Sequence, residues 1–223
     1  MEPEDCPNIH TLTESAERRE LSCCRECPRN SKEDYPVFAA GCDIHQTPSP
    51  TILFVFRDPS SHPPDSRKKG CSWDGKVCPW CHTDGTAINF QKLYHLIDGT
   101  EPNAEKRHPV YCINAVLHGA KKNERPKAGS KKACSAVLRR YVELLNPKLT
   151  VALGRDAEKG LGYAFPVFGE RFESKNTALP VIVDGRAFWS TFHPSPQVCK
   201  PHLREQREES FKQIGYFVGA LRV

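Results

Sequence analysis

Thr51-Ile52-Leu53-Phe54-Val55-Phe56 runs straight into Arg57-Asp58-Pro59-Ser60. The first six residues are apolar or β-branched with no polar alternation, the pattern of a strand covered on both faces. Val110–Val116 (VYCINAV) and Leu149–Leu153 (LTVAL) share it, and Ala187–Phe192 (AFWSTF) is a fourth run. Pro180–Asp184 (PVIVD) leads into the last through Asp184-Gly185, a hairpin-type dipeptide. Helical spacing fills the intervals. Phe90, Leu93 and Ile97 share one face of Thr86–Ile97. Val137, Tyr141 and Leu144 share one face of Lys131–Leu145, with Ser130 as its expected N-cap, and Phe211, Ile214, Val218 and Leu221 line the last helix. Strand–helix alternation predicts an α/β fold: a three-layer α/β/α sandwich around a central, mostly parallel four-stranded sheet.

Residues 1–50 read differently. They are rich in Pro, Cys and charge, and predict one short helix around Thr13–Cys24 followed by extended chain. The boundary expected at residue 50 separates this segment from a domain over 51–223. The 223 residues suffice for one domain with a sizeable core. No apolar run reaches the roughly 18–20 residues of a membrane span, and Met1–His10 is acidic and polar, unlike a signal peptide. The expectation is an intracellular, unsecreted monomer with no membrane partner.

The net charge of +5 permits an anionic partner. Lys121, Lys122, Arg125, Lys127, Lys131 and Lys132 crowd one short stretch, readable as a solvated loop or as a surface for an anion. Eleven cysteines without a secretory leader point to metal or cluster ligation before disulfides. Cys24-x-x-Cys27 is a ligand-type pair, with Cys23 as a possible substitute. Cys112 lies in an apolar run and reads as a core thiol. Cys78-Pro79-Trp80-Cys81-His82, with Cys71 upstream, is a separate group, readable as a zinc site, a redox pair or two surface thiols.

In parallel α/β sheets, ligands bind beyond the carboxyl ends of the strands. Asp58 follows the first strand, Asn114 ends the second and His193 follows the fourth. An Asp, an Asn and a His are therefore expected on one edge of the sheet.

These residues carry a family resemblance. Phe56-Arg57-Asp58-Pro59 resembles the water-activating motif of uracil-DNA glycosylases, whose family 1 form is Gly-Gln-Asp-Pro-Tyr-His. Asn114-Ala115-Val116-Leu117 resembles that superfamily's Asn-Ala-Val-Leu strand, and His193-Pro194-Ser195-Pro196 its second catalytic motif. Gly70-Cys71-Ser72-Trp73 is similar to its Gly-x-x-Phe segment. Leu144-Leu145-Asn146-Pro147-Lys148 through Ala152-Leu153-Gly154-Arg155 resembles the helix-to-strand passage of the iron–sulfur, family 4 type. Family 4 places its acid one position earlier than Asp58, in Gly-Glu-x-Pro-Gly. The chain thus joins a family 1-like Asp to a family 4-like frame.

The resemblance implies a DNA-repair hydrolase that releases uracil or a related deaminated base from DNA. It implies Asp58 and His193 as catalytic residues, and Asn114 as the reader of the base. Trp73 would stack on the base, with Phe56 and Arg57 beside it. Arg57 would either face the pocket and favour ionised Asp58 or face outward towards phosphate. DNA contacts would fall to Lys121, Lys122, Arg125, Lys131, Ser195 and Gln197, with Val198 as a wedge. Family 4 supplies two cysteines beyond the N-terminal pair, and their places are held here by His118 and Cys134. The implied ligand set is Cys24, Cys27, His118 and Cys134, for a [4Fe–4S] cluster or, alternatively, zinc. That site would dock the N-terminal segment. Two competing readings are a non-catalytic metal-containing nucleic-acid-binding module and a thiol oxidoreductase using Cys78 and Cys81.

Overall fold

The computed structural model describes residues 1–34, 37–38, 42–43, 50–59, 85–98, 110–119, 124–171, 179–196 and 201–220. Ile52–Phe56 (β3) is buried at every position and lies inside the sheet. It pairs in parallel with Val110–Asn114 (β4) on one side and Leu149–Leu153 (β6) on the other. Arg186–Thr191 (β8) continues the parallel core beyond β6. Two short antiparallel strands finish the edges, Cys42–Asp43 (β2) against β4 and Val181–Val183 (β7) against β8. The sheet is six-stranded, in the order β2-β4-β3-β6-β8-β7, where the sequence predicts four. The predicted four are its parallel core. Val37–Phe38 (β1) pairs separately with His118–Gly119 (β5).

Side-chain alternation divides the core in two. Ile52, Phe54 and Phe56 point to the layer of Gly85–Asp98 (α3) and Pro201–Ala220 (α7), meeting Phe90, Tyr94, Phe211 and Ile214. Leu53 and Val55 point to the other layer, with Ile9–Glu17 (α1), Ala128–Leu145 (α4), Arg155–Ala164 (α5) and Pro166–Arg171 (α6). This is the expected α/β/α sandwich.

Local chemistry fixes several boundaries. Asp184 (φ 50°) and Gly185 (φ 75°) both adopt left-handed backbone, the conformation a two-residue hairpin turn demands. Helix α4 ends on Asn146, also left-handed at φ 42°, immediately before Pro147. It begins earlier than expected: Lys127 is the N-cap, without a side-chain cap bond, and Ser130 is buried inside the helix. Leu221 lies outside the described residues.

The N-terminal segment is not the coreless tail its composition suggests. Asn8 caps α1 by accepting from the Thr11 amide. Cys6, Leu12, Ala16 and Leu21 are fully buried in the same cluster as Val137, Leu138 and Tyr141 of α4. Apolar burial therefore docks this segment whether or not a metal is bound. Among the described residues, no helix is long and apolar enough to cross a membrane.

Candidate active site and the cysteine group

The carboxyl edge of the parallel core collects the predicted residues. Phe56 and Asn114 are register partners at the ends of β3 and β4, and both are buried. Their parity places them on the α3–α7 side of the sheet. The ladder continues past the strands: the Ala115 amide donates to the Phe56 carbonyl at 2.8 Å and the Val116 amide to Arg57 at 3.1 Å. Asn114 is thus held by backbone pairing to β3 both before and after it in the chain.

His193 follows β8 on the same edge, half-buried. The Ser195 amide donates to its Nδ1 at 3.1 Å. A backbone amide is always a donor, so Nδ1 is the acceptor and the proton of a neutral imidazole resides on Nε2. The Phe56 ring stands edge-on to it, with centroids 6.4 Å apart and planes at 86°. Gly154 (φ +86°) supports the turn from β6, where a Cβ would lie 2.8 Å from His193 Cβ. Arg207 of α7, itself buried, donates from Nη1 to the carbonyls of His193 (3.3 Å) and Ser195 (3.4 Å). The His-Pro-Ser-Pro turn is held from two elements.

Asp58 is engaged in a way the sequence does not announce. Its side chain is fully buried between two guanidinium groups. Arg29 Nη1 donates to Oδ2 at 2.8 Å, and Arg57 Nε donates to Oδ1. Arg57 therefore turns towards Asp58. Arg29, only 3% exposed, also donates to the His118 carbonyl at 2.8 Å and the Glu124 carbonyl at 2.7 Å. Arg29 joins the N-terminal segment, β5, the loop before α4 and Asp58. Sequence reasoning missed it.

The cysteine group lies directly behind Arg29. Cys24, Cys27, Cys134 and His118 are all buried, and the three cysteines are free thiols. The Cys27 and Cys134 thiols hydrogen-bond each other; that bond holds Cys27 down to about 6, while it and burial push Cys134 well up. Cys24 is raised by its hydrogen bond with Cys23 and by burial. The Arg29 amide donates to Cys27 Sγ at 3.4 Å. Burial, then the charges of Arg19 and Arg29, lowers His118 to about 3, which keeps its imidazole neutral. Among the described residues, no group of three or more His, Cys, Asp or Glu side chains is placed to hold a metal ion. The donor chemistry nevertheless suits a thiolate-bound group. Three soft thiols, those of Cys24, Cys27 and Cys134, interact with one another, the Arg29 amide points at the Cys27 sulfur, and the buried guanidiniums of Arg19 and Arg29 stand near enough to balance thiolate charge.

The basic stretch divides. Arg125 is exposed and pairs with Asp156 at 2.7 Å. Lys131, expected on the DNA-facing surface, is instead 5% exposed, with Nζ 2.7 Å from Asp156 Oδ1 and 3.1 Å from the Pro126 carbonyl. Its charge is consumed inside the protein, and it is a structural lysine that does not face a DNA-binding surface. Ser195 is half-buried in the turn. Trp73, Lys121, Lys122, Gln197, Val198, Cys71, Cys78, Cys81 and His82 lie outside the described residues.

Asn114, Asp58 and His193 thus stand at the carboxyl edge of a mostly parallel sheet, where such folds place their ligands. The uracil DNA glycosylase superfamily model matches residues 45–215, and the chain belongs to that superfamily. A Type-4 uracil-DNA glycosylase of Sulfurisphaera tokodaii is 32% identical over 120 residues, covering 49% of this chain and 51% of that protein. A Type-4 uracil-DNA glycosylase of Archaeoglobus fulgidus is 26% identical over 120 residues, covering 51% and 59%. The chain thus spans about half the length of the curated relatives it matches.

Proposed function

We propose that the protein is a DNA glycosylase that hydrolyses the N-glycosidic bond of uracil, or a related deaminated base, after the base leaves the stack. One observation carries this reading: Asn114 and His193 sit at one carboxyl edge of the sheet, beside Asp58, in a chain of this superfamily.

Base flipping costs a few kcal/mol, least for a mismatched base. The Asn114 amide can accept from uracil N3–H and donate to O4, the reverse of what cytosine presents. Phe56 forms an apolar wall there, and Trp73 stacks on the ring. The C1′–N1 bond breaks with its electron pair passing to the base. The His193 Nε2–H donates to O2 and stabilises that charge without full proton transfer. Water bonds to C1′ and loses a proton to solvent. Asp58 has lone pairs left beyond its two arginine bonds, so it can orient that water. Two cations beside one carboxylate weaken its field on the developing sugar cation. In this chain, Asp58 is assigned chiefly to water placement.

Arg125, Ser195, Lys121, Lys122 and Gln197 are assigned to the DNA strand, with Val198 as the wedge. Cys24, Cys27, Cys134 and His118 are assigned to a [4Fe–4S] cluster whose contribution is structural, joining the N-terminal segment to β5 and α4. Stoichiometric zinc would reassign the metal and leave that role.

The test is incubation with single- and double-stranded oligonucleotides carrying one uracil, scored by alkali-labile abasic sites. Cleavage at the uracil position alone is expected. Tight binding without abasic sites would favour the non-catalytic module. Neither binding nor abasic sites, with thiol–disulfide exchange present, would favour the oxidoreductase.

A further inference from the structure

Helices α3 and α7 pack on the same side of the sheet as Phe56 and Asn114, and they do not close completely. Between them lies a groove of about 520 Å³ lined by Asn89 and Lys92 of α3 and by Arg204, Arg207 and Glu208 of α7. Pro196, the last residue of the His-Pro-Ser-Pro turn, also lines it. The groove is therefore continuous with the turn that carries His193.

Its charge is lopsided, with three cationic side chains facing one carboxylate. Lys92 and Arg204 are exposed, and among the described residues neither has an ion-pair partner. Arg207 differs. It is 5% exposed, its Nη1 holds the turn carbonyls, and its Nε has no hydrogen-bond partner among the described residues. A guanidinium that lines the groove, beside two exposed cations and an amide, suits a tetrahedral oxyanion.

We propose that this groove takes a backbone phosphodiester of the DNA strand, one that flanks the nucleotide whose base enters the Asn114–His193 site. The proposal rests on the glycosylase reading, because a strand with one base turned in towards His193 must carry its neighbouring phosphates across the rim at Pro196. Lys92 and Arg204 supply the attraction, and Asn89 a neutral donor. Arg207 links the seated phosphate to the His193 turn. Glu208 opposes a second anion and limits the site to one.

The test measures affinity for undamaged oligonucleotides by fluorescence anisotropy across a range of KCl concentrations, so that base release plays no part. Neutralising one phosphate contributes about 0.9 to the slope of log K against log salt. Lys92→Ala with Arg204→Ala should lower the slope by about that amount and weaken binding about eightfold at about 0.1 M salt, on every sequence alike. The melting temperature should stay unchanged, since both side chains are exposed. On uracil-containing DNA, KM should rise with kcat retained. Arg18→Ala with Lys159→Ala removes the same charge from the opposite layer and should change neither slope nor affinity. An unchanged slope in the Lys92/Arg204 variant overturns the proposal, as does an equal change in the control variant. Absence of DNA binding by the wild-type protein also overturns it. If the slope shifts as expected but no uracil is released, the groove stands and the glycosylase reading falls.

Discussion

Arg29 donates to Asp58, to His118 and to Glu124, residues 29, 89 and 95 positions away in the chain. No local pattern can announce such a residue. The positions of Asp58, Asn114 and His193 at the sheet edge were legible because each lies at or just beyond the end of an apolar strand run. The site's geometry adds that Asp58 is not an open carboxylate but one placed by a guanidinium. Asp58→Asn should lower the single-turnover rate by about 100-fold or more while leaving DNA affinity intact; an unchanged rate would remove Asp58 from the mechanism. Arg29→Lys tests the placement. A lysine keeps the charge but cannot span the same three acceptors in plane. The expected result is a fall in kcat with KM retained. A fall in melting temperature alone, with kcat preserved, would make Arg29 purely structural.

At the scale of elements, the parallel core was readable because its strands are continuously apolar, and β7 showed through the hairpin dipeptide Asp184-Gly185 that joins it to β8, whereas β2, of two residues, is too short to leave a period. Helix α5 escaped notice for a different reason: its buried face includes Ala157, Gly160 and Ala164, small residues with little contrast against their neighbours. The basic stretch before and inside α4 shows where charge pattern misleads. Lys131 resembles its neighbours in sequence, yet it is buried on Asp156. Lys131→Met should destabilise the fold, by up to about 3 kcal/mol if Asp156 is left without its buried partner. The salt dependence of DNA binding should be unchanged, and a lowered slope would return Lys131 to the DNA surface. Burial alone would raise the Asp156 carboxyl, but its bonds to Arg125 and Lys131 prevail and hold it below its ordinary value. A depressed folded-state value means that this increment of stability is complete above the unfolded value, about pH 4, and is lost as pH falls through the folded one. Urea unfolding as a function of pH should therefore show a shallower acid limb for Asp156→Asn than for the wild type. Identical limbs would place the acid-sensitive stability elsewhere.

Across the whole molecule, two of the attachments that hold the N-terminal segment bear on the metal assignment: the first is the apolar seam of Leu12, Ala16 and Leu21 on α4, and the second is the group of Cys24, Cys27 and Cys134 behind Arg29. The cysteine spacing suggested the second. The first was hidden because its partners, such as Tyr141, lie more than a hundred residues away. Cys134→Ala in anaerobically purified protein should lose iron and its visible absorbance and expose residues 24–29 to hydrogen exchange, while the amides of α1 stay protected. Loss of protection in α1 as well would mean that the metal, not the apolar seam, docks the segment; iron and zinc both absent from the wild type would refute the cluster. The central claim, however, is the chemistry at the sheet edge. Its most direct measurement is mass-spectrometric detection of free base and intact abasic strand from a uracil-containing oligonucleotide under single-turnover conditions, for the wild type, His193→Ala and Asn114→Ala. Stoichiometric free uracil is expected from the wild type, and at least about 100-fold slower release from both variants, with oligonucleotide binding retained. Wild-type protein that binds the strand and leaves the glycosidic bond whole, or variants that release uracil at the wild-type rate, would contradict that claim.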